Sequence, residues 1–302
     1  MSNRIKDILR NPALLFLTLG HREMFNWMSD ERYLKIAFWA RMHKKLNLDN
    51  PQTLSEKLQW LKLYNRQPIY TKLVDKYDVK NIVSNIIGEE YIIPTLGVWD
   101  KFEDINFDSL PNQFVLKCTH DSGGLIIVRD KSQLNIEKAR KKIKKCLKHS
   151  FYWGMREWPY KDVKPRIIAE AYLEEESGDG LKDYKIFCFD GIPQFLYLSQ
   201  GLENHQTASI SFLNTDWTFA PFKRSDYKTF DKLPEKPQNY ELMLEIAKKL
   251  SVGMPHVRVD LYNINGKIYF GELTFFTCSG MIPFEPTSWD EKLGSLINLP
   301  SK

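Results

Sequence analysis

Three segments of this 302-residue chain carry charged side chains at strand spacing, and each can do chemistry. The first is Phe114-Val115-Leu116-Lys117-Cys118-Thr119-His120-Asp121-Ser122-Gly123-Gly124-Leu125-Ile126-Ile127-Val128, a strand, a loop of small residues and a second strand. Glycines let a backbone approach an oxygen-rich ligand, N–H groups cradle phosphate oxygens, and a strand lysine adds a point charge. The Gly-Lys-Ser/Thr order and following helix of a Walker A loop are absent, and a plain hairpin is the alternative use of the same residues. The second segment is Ile167-Ile168-Ala169-Glu170-Ala171-Tyr172-Leu173, followed after an acidic loop by Asp183-Tyr184-Lys185-Ile186-Phe187-Cys188-Phe189. Single charges that interrupt apolar strands face a site or solvent. Two carboxylates and a lysine so placed can hold a ribose and phosphates. The third is Arg258-Val259-Asp260-Leu261-Tyr262, an Asn265-Gly266 turn and Gly271-Glu272-Leu273-Thr274. Alternation puts Arg258 and Asp260 on one face, and the hairpin brings Glu272 and Thr274 beside them. Two hard oxygen ligands meeting one cation suit Mg²⁺, and a cross-strand ion-pair network is the alternative.

The elements that must position these residues change in texture along the chain. Residues 1–66 read as helical: apolar positions recur at helical spacing over 33–42, and Thr53-Leu54-Ser55-Glu56 has the form of a capping box. From residue 70 the pattern is mixed, with a helix over 70–87, a strand near 91–96 and a β-rich run at 113–116. A basic helix over 135–149 follows, with Ile136, Ile143 and Leu147 as its buried stripe. The aromatic stretch from Phe151 to Tyr160 reads as a loop with no assigned role. The last third alternates strand and turn, and its clearest hairpin joins 257–262 to 267–273 at Asn265-Gly266, residues that favour positive φ.

With 43% hydrophobic and 13% aromatic residues, the chain can bury the core of a globular enzyme of two or three lobes. Cys118, Cys146, Cys188 and Cys278 show neither a Cys-x-x-Cys pair nor a histidine at zinc spacing, which points to reduced core thiols. The apolar stretch 13–19 falls far short of the roughly 20 residues that span a bilayer. Asp7 and Arg10 with no small-residue cleavage site make a poor signal peptide, so the expectation is a cytoplasmic protein. The net charge of +5 is mild, with a visible excess over 138–145. Such a run is a solvated helix face or, alternatively, a contact for a polyanionic glycan or a lipid surface, and the basic helix at 32–46 has the same second use at a membrane. No nucleic-acid motif accompanies the charge, so no nucleic-acid partner is expected.

In order and spacing the three segments resemble the ATP-grasp superfamily: a strand Lys before a Ser-Gly loop, a hinge Glu with a following acidic residue, and an Arg-x-Asp hairpin ending in Glu-x-Asn. More narrowly, 53–64 (TLSEKLQWLKLY), 74–80 (VDKYDVK), 114–124 (FVLKCTHDSGG) and 258–275 (RVDLYNINGKIYFGELTF) resemble the TupA-like branch, named for teichuronopeptide biosynthesis and found in bacterial surface-polysaccharide gene sets. The similarity runs from about residue 50 to 300. It implies an α/β (α+β) ATP-grasp fold: a helical region 1–66, a pre-ATP-grasp lobe 67–112, a small lobe 113–172 and a large lobe 173–302 with the metal site, two β-rich lobes clamping ATP.

Position by position, the resemblance makes Lys117 a phosphate contact with Lys76 as its partner, and Ser122, Gly123 and Gly124 the loop over the phosphates. Glu170 and the backbone around Tyr172 and Leu173 would meet adenine, Asp183 the ribose, and Lys185 the phosphates. Asp260 and Glu272 would bind Mg²⁺, with Thr274 standing where the superfamily has Asn, and Arg258 would stabilise the transferring group. His120 is a candidate base for the amine, a histidine bonded to backbone being the alternative. The implied activity is an ATP- and Mg²⁺-dependent ligase that joins a uronic-acid-type glycan carboxylate to a small amine, an amino acid or amino sugar, through an acyl phosphate. Its place would be the cytoplasm or the inner face of the membrane, beside membrane-bound glycan assembly. Some TupA-like sequences are labelled glycosyltransferases, although no Asp-x-Asp pair occurs here. A sugar or small-molecule kinase and a degenerate binding protein are two further rivals to the ligase.

Overall fold

The computed structural model describes residues 13–121, 123–174, 182–200 and 208–301. Its helical start comprises α1 (Ala13–Gly20), α2 (Asp30–Met42) and α3 (Leu54–Tyr64). The capping box is present: Glu56 N–H donates to Thr53 Oγ1 at 3.2 Å and Thr53 N–H to Glu56 Oε2 at 3.1 Å, satisfying two donors that a helix start leaves free. The helix expected over 70–87 is two helices, α4 (Pro68–Val74) and α5 (Asp78–Ile87). Asp75 breaks it, because its Oδ1 accepts from the N–H groups of Tyr77 and Asp78 at 2.8 and 2.9 Å and so caps a new helix. The strand expected near 91–96 starts later, as β1 (Thr95–Trp99), since Pro94 has no N–H for a ladder.

Two antiparallel sheets follow. The first has the order β1-β4-β2-β3, with β2 (Phe114–Cys118), β3 (Ile126–Val128) and β4 (Ile167–Ala171). It packs against α6 (Ile136–Leu147), which is capped by Asn135 and buries Ala139, Ile143 and Cys146, so the stripe expected at Ile136 and Leu147 lies at the margin. The second sheet has the order β10-β9-β5-β6-β7. Its strands are β5 (Asp183–Phe189), β6 (Ile192–Gln200), β7 (Ser209–Asn214), β9 (His256–Ile264) and β10 (Lys267–Thr274), backed by α8 (Tyr240–Leu250). A short ribbon pairs β8 (Lys223–Arg224) with β11 (Phe284–Glu285), and α9 (Ser288–Gly294) packs on α3. Each sheet has its own apolar core, the one under β2 and β4 being separate from the larger one that joins the second sheet to the N-terminal helices.

The aromatic stretch acquires a role as a fastener. It folds into α7 (Phe151–Met155) and a tight turn at Trp158–Tyr160, and between them Arg156 adopts φ 55° and is almost fully buried. Its guanidinium lies 4.5 Å from the Tyr33 ring and 4.4 Å from the Trp153 ring, and Nη2 donates to the Phe25 carbonyl at 2.7 Å. Cation–π contacts and one strong bond thus fix α2 and the turn before it to the body.

The hairpin turns at Asn265 and Gly266 with φ 52° and 84°, as its residues require. Register then runs regularly to Leu261↔Phe270, after which one extra residue, Gly271, makes a bulge. Beyond it Asp260 faces Glu272 and Arg258 faces Thr274.

Candidate active site

A cavity of about 220 Å³ opens between the sheets. From the helical side and the first sheet, Lys76, Lys80, Lys117 and Glu170 line it; from the second sheet, Asp183, Asp260 and Glu272 do. Lys117 and Glu170 share a face because β2 and β4 pair Lys117 with Ile168 and Val115 with Glu170, two residues apart. Glu170 is 4% exposed and held by two cations, Lys80 Nζ at 2.6 Å on Oε1 and Lys117 Nζ at 2.5 Å on Oε2. Burial pushes its carboxyl up, but Lys117 and Lys80 outweigh burial and hold it below the usual carboxylate range. Burial lowers the Lys80 ammonium, and Glu170 opposes the shift.

Opposite lies a ladder of alternating charge. Arg258 donates from Nε and Nη2 to the two oxygens of Asp260, both at 2.6 Å, and Lys185 Nζ donates to Asp260 Oδ2 at 2.9 Å and also contacts Asp183 Oδ2. The pairing of Lys185 with Asp260 across β5 and β9 sets this up. Burial pushes Asp183 up to about 6, with Lys185 opposing, and its Oδ1 is buried without a hydrogen-bond partner. Burial likewise works to raise Asp260, and Arg258 and Lys185 keep it below its usual range. Glu272 is the open member: 41% of its side chain is exposed, and only Oε1 is engaged, 3.4 Å from Arg258 Nη2 and accepting from Thr274 Oγ1 at 3.3 Å.

These donors fit a hard cation. A carboxylate offers about four acceptor directions; Asp260 uses three, Glu272 keeps Oε2, and Asp183 Oδ1 has no bond within the protein. Among the described residues no three His, Cys, Asp or Glu side chains gather to hold a metal unaided. Such a set matches Mg²⁺, which takes one or two carboxylates and completes its shell with phosphate oxygens and water.

Of the residues singled out in sequence, Lys76, Lys117, Gly124, Glu170, Asp183, Asp260 and Glu272 come together in the cavity wall. Lys185, Arg258 and Thr274 stand behind it, Thr274 Oγ1 accepting from Arg258 Nη2 at 3.0 Å. Gly123 N–H closes the loop on Asp121 Oδ1 at 3.0 Å, and Ser122 lies outside the described residues. Several of the expected residues make contacts of a different kind. His120 is turned away: its Nε2 bonds the carbonyls of Cys146 and His149 at 3.2 and 3.1 Å, at the end of α6, and burial lowers its pKa. Tyr172 and Leu173 lie off the cavity wall, and the Tyr172 hydroxyl accepts from Arg129 Nε at 3.0 Å. Lys76 reaches the Asp121 carbonyl at 2.8 Å, so the partner that Lys117 meets across Glu170 is Lys80. Lys80 was missed although it stands four residues after Lys76 in VDKYDVK, a spacing that helices bring together.

A supporting layer was also missed. Lys62 of α3 is fully enclosed and donates to the carbonyls of Ser279 and Met155 and to Gln59 Oε1, at 2.8, 3.0 and 3.0 Å. It thereby holds a turn in which Cys278 and Ser279 take φ 51° and 56°, and Thr277 of that turn accepts from Arg258 Nη1 at 3.2 Å. Burial lowers Lys62 to about 8 and raises Glu157, which accepts from Ser279 Oγ at 2.8 Å.

Two lobes with separate cores and a charged cavity between their sheets are the architecture of ATP-grasp proteins, and the sequence agrees. The family model for TupA-like ATPgrasp proteins matches residues 56–298, and the chain belongs to that family. Among solved structures, it is similar to D-alanine–D-alanine ligase from Bacillus anthracis at 17% identity and TM-score 0.43, covering 80% of this chain and 67% of that one. The Helicobacter pylori D-alanine–D-alanine ligase gives 14%, TM-score 0.41, and 82% and 69%. The D-cycloserine synthetase DcsG gives 14%, TM-score 0.41, and 80% and 78%. Against the ATP-complexed Bacillus anthracis ligase, at 18% identity and TM-score 0.39, 67% of this chain matches and it spans about half of that chain, 53%. No curated protein matches the chain.

Proposed function

We propose that the protein is an ATP- and Mg²⁺-dependent ligase that joins a carboxylate to an amine in bacterial surface-polysaccharide assembly. The observation that carries this is the cavity itself, in which lysines from one lobe face carboxylates from the other, within a chain of the TupA-like ATP-grasp family. Lys117 and Lys80 would exchange Glu170 for the phosphate oxygens of ATP, leaving the Glu170 carboxylate for the adenine amino group, with Asp183 at the ribose and Lys76 and Gly124 beside the phosphates. Asp260 and Glu272 would hold Mg²⁺, with the Thr274 hydroxyl in third place; bound there, the ion neutralises charge on the phosphates. Lys185 and Arg258, locked by Asp260, are preorganised donors for charge that develops on the transferring oxygens.

A carboxylate is a poor electrophile because its leaving group would be oxide. Forming an amide in water therefore requires prior phosphoryl transfer to the carboxylate, and ADP and phosphate appear together. The carboxylate is assigned to a uronic-acid-type glycan and the amine to an amino acid or amino sugar, in the cytoplasm where ATP is present. No helix of the described residues is long and apolar enough to cross a membrane.

Turnover with such a pair is expected to release ADP and phosphate in equal amounts with each amide formed, followed by nucleotide analysis and mass spectrometry of the product. ADP without free phosphate, and a phosphorylated product, identifies a kinase. Glycosyl transfer from a sugar nucleotide in the absence of ATP overturns the ligase assignment.

A further inference from the structure

The charge of the chain is not spread evenly. Residues 1–45 hold nine Lys and Arg against four Asp and Glu, a balance equal to the +5 of the whole chain, so everything after residue 45 is neutral overall. Within the described part, residues 13–45, six Lys and Arg stand against three Asp and Glu. Asp30 is engaged by Arg66 and Lys44 by Asp290, two pairs that offset each other, and Arg22 in the turn after α1 is exposed. Such one-sided charge belongs to a contact with something anionic.

The same region carries an apolar helix on the surface. Every residue of α1 but Thr18 and Gly20 is apolar; Leu17 and Gly20 are buried, Ala13, Leu14 and Phe16 pack against the core, and Leu15 is left 45% exposed on the outer side. A helix apolar all round is covered by a core or by lipid, and the core covers one side of this one. The turn after α1 folds back onto it, the Phe25 ring stacking on Phe16 at 4.6 Å, which sets Met24 and Trp27 beside the helix at 56% and 74% exposure. Arg22, exposed, stands in the same turn. Scattered exposed apolar residues are ordinary; a helix face continued by Met and Trp is a patch.

We infer that α1 and the turn 21–28 form a seat for an anionic membrane surface, with Leu15, Met24 and Trp27 entering the headgroup layer and Arg22 meeting lipid phosphates. Tryptophan favours the water–lipid boundary, and basic residues favour anionic headgroups. A lipid fits better than a protein partner, because the centres of protein interfaces are depleted of charge whereas this apolar patch lies in the basic part of the chain. The seat is independent of the cavity and of the ligase assignment.

The full chain is mixed with vesicles of phosphatidylcholine, or of phosphatidylcholine with phosphatidylglycerol, and sedimented. It is expected to partition to the anionic vesicles, to leave them as salt is raised, and to lose about tenfold in partition when Trp27→Ser is combined with Leu15→Gln at unchanged melting temperature. Arg22→Glu, which removes no apolar contact, is expected to weaken anionic binding as well. Absence of binding to either vesicle, or equal binding by the parent and both variants, overturns the proposal. So does a concentration-dependent dimer that the double variant abolishes without any vesicle binding, which would make the patch a protein interface.

Discussion

Glu170 sits where two lysines can be satisfied by one carboxylate, and its removal is measurable. Glu170→Gln leaves Lys80 and Lys117 without their counter-charge, at a cost of about 1–3 kcal/mol. Because its folded pKa lies below the unfolded value of about 4.3, the stabilisation is full above that pH and is lost as pH falls through the folded pKa. Melting curves of parent and variant are therefore expected to differ at neutral pH and to converge in acid. Asp260 and Glu272, the two carboxylates proposed to hold Mg²⁺, separate in the same way. Asp260→Asn loosens the hold on Arg258 and Lys185 at once and is expected to cost roughly 3–5 kcal/mol as well as activity. Glu272→Gln, half-exposed, is expected to stay within about 0.5 kcal/mol of the parent in urea titrations and to lose turnover. A folded Glu272→Gln protein with near-normal turnover sinks the metal assignment. At this scale the residue types were legible, because lysines and carboxylates inside apolar strands stand out. Their partners were not: Lys80 rather than Lys76 reaches Glu170 because Asp75 restarts the helix, a break made by one side chain.

At the level of elements, the site depends on the bulge at Gly271. Counting back from a two-residue turn without it would place Glu272 opposite Val259, on the core face; the extra residue restores Glu272 to Asp260. A Cβ on Gly271 would lie 3.0 Å from the Asp260 carbonyl and 3.3 Å from the Tyr262 ring. Gly271→Val is thus expected to cost about 1–3 kcal/mol in chemical denaturation and to displace Glu272, reducing turnover further than the stability loss explains. The Asn265-Gly266 turn was legible from local chemistry, and the capping box at Thr53 likewise. The bulge had a signal in the form of a glycine inside a strand pattern. The split of 70–87 and the late start of β1 were harder, because an Asp cap and a proline decide them against a continuous apolar pattern.

Over the whole molecule, two cores meet at one charged cavity, so a ligand held by both lobes stabilises both. A non-hydrolysable ATP analogue with Mg²⁺ at 100 times its dissociation constant is expected to add about 2.7 kcal/mol and raise the melting temperature. No shift and no calorimetric heat with any purine nucleotide counts against the cavity as a nucleotide site. Family-level order was legible because three motifs in sequence constrain a topology. The fastening of the N-terminal helices was not: Arg156 works through Tyr33, Trp153 and Phe25, residues that only the folded chain brings together.

The position of Glu170 between Lys80 and Lys117 also sets a threshold. Any anion that approaches those lysines finds both already paired with one carboxylate, and it must displace a group that needs no translational entropy to stay. Chloride, sulfate or a free monocarboxylate brings little that Glu170 does not supply. A chain of phosphates that engages the lysines and the opposite wall in one step brings more, so a cavity built this way favours a ligand by how many charges it carries and over what length, and small anions are expected to compete poorly for it.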